Sequence, residues 1–271
     1  GRSFVADIAQ ADSKWIFSAL IGGVIFNLSN ILLVIAIDIA GLAVAFPVGI
    51  GLALVLGVIT TYIASPSGNP VMLGFGVALI CVAIILDAIA FRRLGGKSAT
   101  AKGIAISAAA GILMGFFYSF VAEAMGKIDM ASGRAVLEAG KLSPYSAMVV
   151  FAAGIVASNF IFNTLAMKFP LDGSKPISYS SYFTDGNARL HLIGILGGAI
   201  WCVGTSFSFI SANAAGAALA YGLGQGATMV SAFWGVFIWK EFKGALQGTN
   251  MLLALMFLFF LAGLAILVGA K

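Results

Sequence analysis

Apolar residues run through this chain in long unbroken windows, separated by short polar punctuation, from about residue 15 to residue 270. The windows do not alternate every second residue, which sets aside a membrane β-barrel. Crossing the hydrocarbon core takes about 20 consecutive apolar residues, and that template fits eight times. The predicted spans are 15–37, 41–63, 70–91, 103–125, 145–167, 190–211, 213–239 and 249–270. Ser65-Pro66-Ser67-Gly68-Asn69-Pro70 reads as a turn, and Arg92-Arg93-Leu94-Gly95-Gly96-Lys97 as a short basic link. Longer polar loops cover 126–144 and 168–189. Residues 1–14 read as a polar, loop-like start with no signal-peptide core.

Two stretches repeat. Residues 21–52 laid on 196–227 without a gap match at roughly ten of about thirty-two positions. Gly22 and Gly23 fall on Gly197 and Gly198, Phe26 on Trp201, Gly41 on Gly216, and Ala45-Phe46-Pro47 on Ala220-Tyr221-Gly222. The copies begin at the first and sixth spans, so five crossings separate them and the second enters from the opposite side. The expected fold is an all-α integral membrane bundle with inverted five-helix repeats. Residues 1–91 form the C-terminal part of the first repeat, 92–102 the linker, and 103–271 the second repeat. On this reading about two helices precede Gly1, giving about ten in all, and the flank they leave open lies against spans 103–125 and 145–167.

Composition agrees with that class: 61% hydrophobic, 9% charged, mean hydropathy +1.07. A soluble domain carries about 25% charged residues. The net charge of +5 therefore reads as loop charge rather than as a nucleic-acid footprint. Lys and Arg mildly favour the face bearing 92–102, 168–189 and 240–248 as cytoplasmic. Cys81 and Cys202 sit within apolar spans as small hydrophobes. Gly111 and Gly115 form a GxxxG pair suited to close helix packing.

No metalloprotease, nucleophile-elbow or phosphate-loop motif is present. No metal or cofactor is expected, and no enzyme. Gly222-x-Gly224-x-Gly226 follows no strand and reads as helix packing or a helix break. Polar groups at membrane depth are costly unless satisfied, so they mark candidate solute contacts. These are Asn27 and Asn30 on one face of the first span, Tyr118 in the fourth, and Asn159 and Asn163 on one face of the fifth. Trp201 and Thr205, with Ser206 and Ser208, line the sixth, and Tyr221 and Gln225 lie in the seventh. Amides, hydroxyls and aromatic faces suit a small neutral polar solute. Each could equally serve as an interhelical hydrogen bond. Asp87 is read as a structural ion pair with Arg92 or Arg93, ahead of a proton carrier.

Several runs resemble a known family. Ala45-Phe46-Pro47-Val48-Gly49-Ile50-Gly51, Leu196-Gly197-Gly198-Ala199-Ile200-Trp201-Cys202, Tyr221-Gly222-Leu223-Gly224-Gln225-Gly226-Ala227-Thr228-Met229 and Trp234-Gly235-Val236-Phe237-Ile238-Trp239-Lys240-Glu241-Phe242 look like the ureide permeases of the drug/metabolite transporter (DMT) superfamily. The bacterial glucose and ribose uptake permeases are similar in architecture. The resemblance implies a ten-helix, alternating-access carrier of a ureide, nucleobase or sugar, coupled to a proton, with both termini cytoplasmic. Its partners would be the lipid bilayer, a small solute and a coupling proton, in a bacterial inner membrane. A multidrug exporter should carry a central carboxylate and a greasier site. An enzyme on lipid-linked substrates should carry an acid/base or metal cluster.

Overall fold

In the computed structural model of the chain, residues 2–95, 100–129 and 136–271 are described. The N-terminal stretch is not simply a loop. A short helix, α1 (Phe4–Gln10), forms there, opened by the Ser3 side chain, which accepts from the Ala6 amide. It is followed by α2 (Ser13–Ala40). After Gly41, α3 (Leu42–Ala45), a π-helical turn (Phe46–Ile50) and α4 (Gly51–Ala64) make the return crossing. Next come α5 (Pro70–Arg92), α6 (Ala101–Ala124), α7 (Pro144–Lys168), the short α8 (Tyr179–Thr184) and α9 (Ala188–Ala215). Two-residue strands at Ile128–Asp129 and Val136–Leu137 pair within the loop between α6 and α7. The last two crossings are α10 (Ala217–Gly224) with α11 (Gly226–Phe233) and a π-helical turn (Trp234–Trp239), then α12 (Thr249–Gly269).

Among the described residues seven continuous helical segments are long and apolar enough to cross a membrane. The protein is an all-α, multi-pass membrane protein. The seventh predicted span, 213–239, is discontinuous. Its helix breaks at Gln225, between Gly224 and Gly226, where glycines on both sides weaken helix propagation. Loop residues start the helices as their chemistry dictates. Pro70 and Pro144 occupy first turns, and Asn69, Thr100, Ser143 and Asn187 accept hydrogen bonds from the amides that would otherwise be orphaned.

The repeat is visible in the backbone. Both α2 and α9 are 28 residues long, and each ends on a glycine of positive φ, Gly41 at 77° and Gly216 at 94°. The two helices run in opposite directions. Trp15, at the start of α2, and Asn213, near the end of α9, line the same cavity. Loop contacts agree: the Asn69 amide donates to the Ala270 carbonyl at 2.6 Å on that face, and Arg93 Nη1 donates to the Gln247 carbonyl at 3.2 Å on the other.

Packing then differs between the copies. A side chain at Gly22 would stand 2.7 Å from Val121 Cγ2 of α6, and one at Gly23 would run into the Phe151 carbonyl of α7. Helix α2 therefore seats its backbone on both neighbours. The matching Gly197 and Gly198 of α9 meet nothing within 4 Å, and one residue of α9, Phe209, is buried. This corrects the expected position of the open flank: α2 covers α6 and α7, and the uncovered face belongs to α9. The Gly111–Gly115 pair behaves as expected, bringing α6 against the Gly49 carbonyl and Leu56.

Candidate functional site

Aromatic rings fill the bundle at mid-depth. Phe26 of α2, Phe117 and Tyr118 of α6, Phe151 of α7, Trp201 and Phe209 of α9, and Tyr221 of α10 form one connected cluster. Neighbouring ring centroids lie between 4.9 and 6.3 Å apart. Most of the pairs meet edge-on or tilted, as ring quadrupoles favour. The two tyrosines are buried, and their hydroxyls are used. Tyr118 Oη lies 3.0 Å from Ser208 Oγ and donates to the Ser208 carbonyl at 3.2 Å. Tyr221 Oη donates to the carbonyls of Ala53 at 2.9 Å and Met114 at 3.3 Å. These bonds tie α6 to α9, and α10 to α4 and α6.

One helical turn beyond the tyrosines a cavity of about 510 Å³ opens towards one face of the bundle. Its walls carry Ser65, Ser67, Glu123, Lys127, Lys141 and Asn213, with Trp15 at the rim. Asn213 Nδ2 is buried and has no hydrogen-bond partner in the protein. A buried donor left unmade costs about 1–3 kcal/mol, so this amide is set to receive an acceptor from outside the chain. The volume falls in the range of small-molecule sites, about 300–1,000 Å³. Ala122, Ala212 and Ala217, which line the cavity, lie one turn along their helices from Tyr118, Ser208 and Tyr221.

The sequence-derived candidates divide into three groups. Tyr118, Trp201 and Tyr221 come together in the aromatic cluster, with Trp201 39% exposed on its outer side. Asn27, buried, donates to Ser158 Oγ at 3.0 Å and joins α2 to α7. Asn163 donates to Asn159 Oδ1 at 2.9 Å within α7. Asn30 is exposed, and Thr205 is half-buried. Gln225 is half-buried at the break between α10 and α11, and its side chain makes no hydrogen bond among the described residues. Sequence reasoning passed over Asn213 because it falls at a predicted span boundary. The repeat held the missing signal, since Asn213 aligns with Asp38, a second polar residue at the same place in the first copy.

Asp87 requires a correction. It forms no ion pair with Arg92 or Arg93; its side chain is 6% exposed, and Oδ1 has no partner. It lines a second cavity, of about 110 Å³, with Thr228, Ser231, Gly235, Trp239 and Glu241. Among the described residues no three His, Cys, Asp or Glu side chains group as metal ligands.

Comparison with known proteins bears on both cavities. The ureide permease family profile matches residues 90–270, which is more than half of the chain. The chain belongs to the ureide permease family. Ureide permease 2 and Ureide permease 1 of Arabidopsis thaliana are each 29% identical to it over 131 residues, 48% of this chain. The matched segment spans about a third of the length of these curated relatives, 32% and 33% respectively. Within the family match lie Tyr118, Ser208, Asn213, Tyr221 and Glu241, whereas Trp15, Ser65, Ser67 and Asp87 precede it.

Proposed function

We propose that this chain carries the solute path of a permease that moves a small neutral polar metabolite of the ureide class by alternating access. One observation carries the reading: a metabolite-sized cavity opens to one face, one helical turn from a hydrogen-bonded tyrosine layer. The cavity offers a hydrogen-bond donor, Asn213 Nδ2, that the protein leaves unused. A ureide presents carbonyl acceptors to such an amide, and the Ser65 and Ser67 hydroxyls can take its N–H groups. Passage then needs the Tyr118–Ser208 link between α6 and α9 to open. Membership of a permease family favours this reading over an exporter or a lipid-modifying enzyme.

The inverted repeat belongs to the same proposal. Equal helix length, equal glycine caps and opposite direction of α2 and α9 support two halves related by a two-fold axis in the membrane plane. In the first copy α2 is covered by α6 and α7. By the same relation the Gly197–Gly198 face of α9 takes two further apolar helices of the polypeptide, packed as α6 and α7 are.

The test is thermal-shift screening of the purified protein against ureides, purines, pyrimidines, sugars and amino acids, followed by uptake into liposomes. A bound solute raises stability by RT ln(1 + [L]/Kd). The expected result is stabilisation by a ureide or related cyclic amide, weakened in Asn213→Ala. Stabilisation that Asn213→Ala leaves unchanged would remove the cavity from the solute path.

A further inference from the structure

The second cavity lies towards the face opposite the solute cavity and is built differently. Its inner wall is Asp87, buried in α5 with Oδ1 unpartnered. Its outer wall is Glu241, which is exposed. Lys240 is the one non-glycine residue of positive φ among the described residues, at 56°, and the turn it makes folds Glu241 back over the end of the bundle. The Glu241 amide donates to the Gly235 carbonyl at 3.0 Å, and a side chain at Gly235 would stand 2.9 Å from Glu241 Oε2. A left-handed lysine following a π-helical turn is a costly local geometry of the kind that persists where position matters. Its effect is to hold a solvent-accessible carboxylate at the mouth of a pocket whose floor is a buried one. Thr228 and Ser231, one turn apart on α11, add hydroxyls that no other described residue engages.

Among the described residues no cation completes this site. Of the elements around Asp87, α12, α3, α11 and both π-helical turns carry no ionisable residue, and α4 carries Tyr62 alone. Arg92 and Arg93 end α5 itself, and Arg93 turns its guanidinium to the Gln247 carbonyl. Lys240 and Lys243 flank Glu241, and neither is paired with Asp87. A buried anionic carboxylate without a partner is strongly disfavoured; a single positive charge from outside removes the problem. The smallest such charge is a proton, which needs one oxygen rather than a coordination shell.

We propose that Asp87 and Glu241 form a proton site, with Glu241 as the entry group and Oδ1 of Asp87 as the buried acceptor, and that its occupancy is linked to solute movement. The inference rests on the transport reading above. In the proton step, a protonated Glu241 gives its proton to Asp87 Oδ1 through water or a cavity hydroxyl, and Glu241 is reprotonated from solution. The link is mechanical. The discontinuous segment that bears Ala217 in the wall of the solute cavity, with Tyr221 one turn on, also bears Thr228, Ser231, Gly235 and Trp239 around the proton cavity, with the Gln225 break between them.

Two measurements test it on the full protein. Infrared difference spectroscopy across a pH titration reads protonation of a buried carboxyl directly, whether or not any solute is known. Above about pH 5, where the buried Asp7 stays ionised, a buried carboxylic-acid band is expected in the wild type and in Asp87→Glu, and absent in Asp87→Asn; a band that survives there in Asp87→Asn overturns the assignment. In proteoliposomes with a solute found by the thermal-shift screen, an imposed proton gradient is expected to drive accumulation several-fold. Asp87→Asn should lose that drive while still showing a solute-induced thermal shift, and Glu241→Gln should slow it. Accumulation driven by a sodium gradient but not by protons overturns the proton assignment. A carboxyl band with no gradient response overturns the coupling. Should no solute shift the wild type at all, the transport reading fails, and the infrared result still decides the proton site.

Discussion

Phe26 and Trp201 stack on each other, with ring centroids 5.0 Å apart and ring planes 24° from parallel. Each is the fourteenth residue of its 28-residue helix, and they are equivalent positions of the internal repeat. Residues related by a two-fold axis can touch one another only at that axis. The pair therefore marks where the axis of the proposed two-fold would pass, at the midpoints of α2 and α9. A double-mutant cycle of Phe26→Leu and Trp201→Leu, read by unfolding in detergent, is expected to give a coupling of about 0.5–1.5 kcal/mol. A coupling near zero would mean that the stack contributes burial alone.

The two glycine pairs of the repeat should respond oppositely to substitution. Gly22→Leu inserts a side chain where Val121 stands at 2.7 Å and is expected to cost about 1–3 kcal/mol or more by overpacking. Gly197→Leu meets open space in this chain and should leave its stability unchanged. In a polypeptide that supplies the two proposed covering helices, Gly197→Leu should become as harmful as Gly22→Leu. Equal tolerance of Gly197→Leu in both forms would refute the proposed cover.

Gln225→Leu separates a solute contact from helix glue. The amide has no hydrogen bond to lose, so the melting temperature should hold. If the occluded solute reaches the helix break, its affinity should fall by about 1–3 kcal/mol, the cost of an unpaired buried polar group. Unchanged affinity would place the break outside the solute path.

Acid should loosen the N-terminal segment first. Asp7 is fully buried and accepts from Arg2 Nη1 at 3.1 Å and from the Ser143 amide at 2.8 Å. Burial works against its charge. The Ser143 amide, the Ser146 and Ser143 hydroxyls and Arg2 together outweigh that, holding the carboxyl below its ordinary value of 3.8. Because the native state binds the proton more weakly than the unfolded state, this stabilisation is full above that ordinary value. It is lost as pH falls through the lowered one. Hydrogen exchange of α1 should therefore rise below about pH 4, and Asp7→Asn should remove most of that pH dependence. An α1 whose protection in Asp7→Asn matches the wild type throughout would refute it.

Much of the architecture was legible because lipid allows few solutions. Continuous apolar windows became helices, and the aligned Gly41 and Gly216 became matching caps. Gly224 and Gly226 became a break. The repeat paired the spans that became α2 and α9, but packing partners are non-local, so the open face was expected on the wrong helices. Site residues were harder for the same reason. The sequence shows that Asn27 and Asn159 face inward or along a helix; it does not show that Ser158 and Asn163 already satisfy them. Asp87 was assigned to the arginines nearest in sequence, whereas the fold brings it to Glu241. Helix α1 was missed because seven residues carry too little periodicity, and the contacts of Asp7 with Ser143 and Arg2 stabilise it.

A helix of 28 residues is about 42 Å long, well over the hydrocarbon thickness of about 30 Å. Helices α2 and α9 touch ring to ring at their centres and point in opposite directions, so Phe26 and Trp201 form a fulcrum on which one helix can rock against the other. Each arm of either helix reaches about 21 Å from the fulcrum. A relative rotation on the order of 10° would part the arm tips by about 4 Å on one face and close them by as much on the other, a displacement comparable to the width of a planar ring system. A modest tilt about one aromatic contact would thus open one mouth while shutting the opposite one.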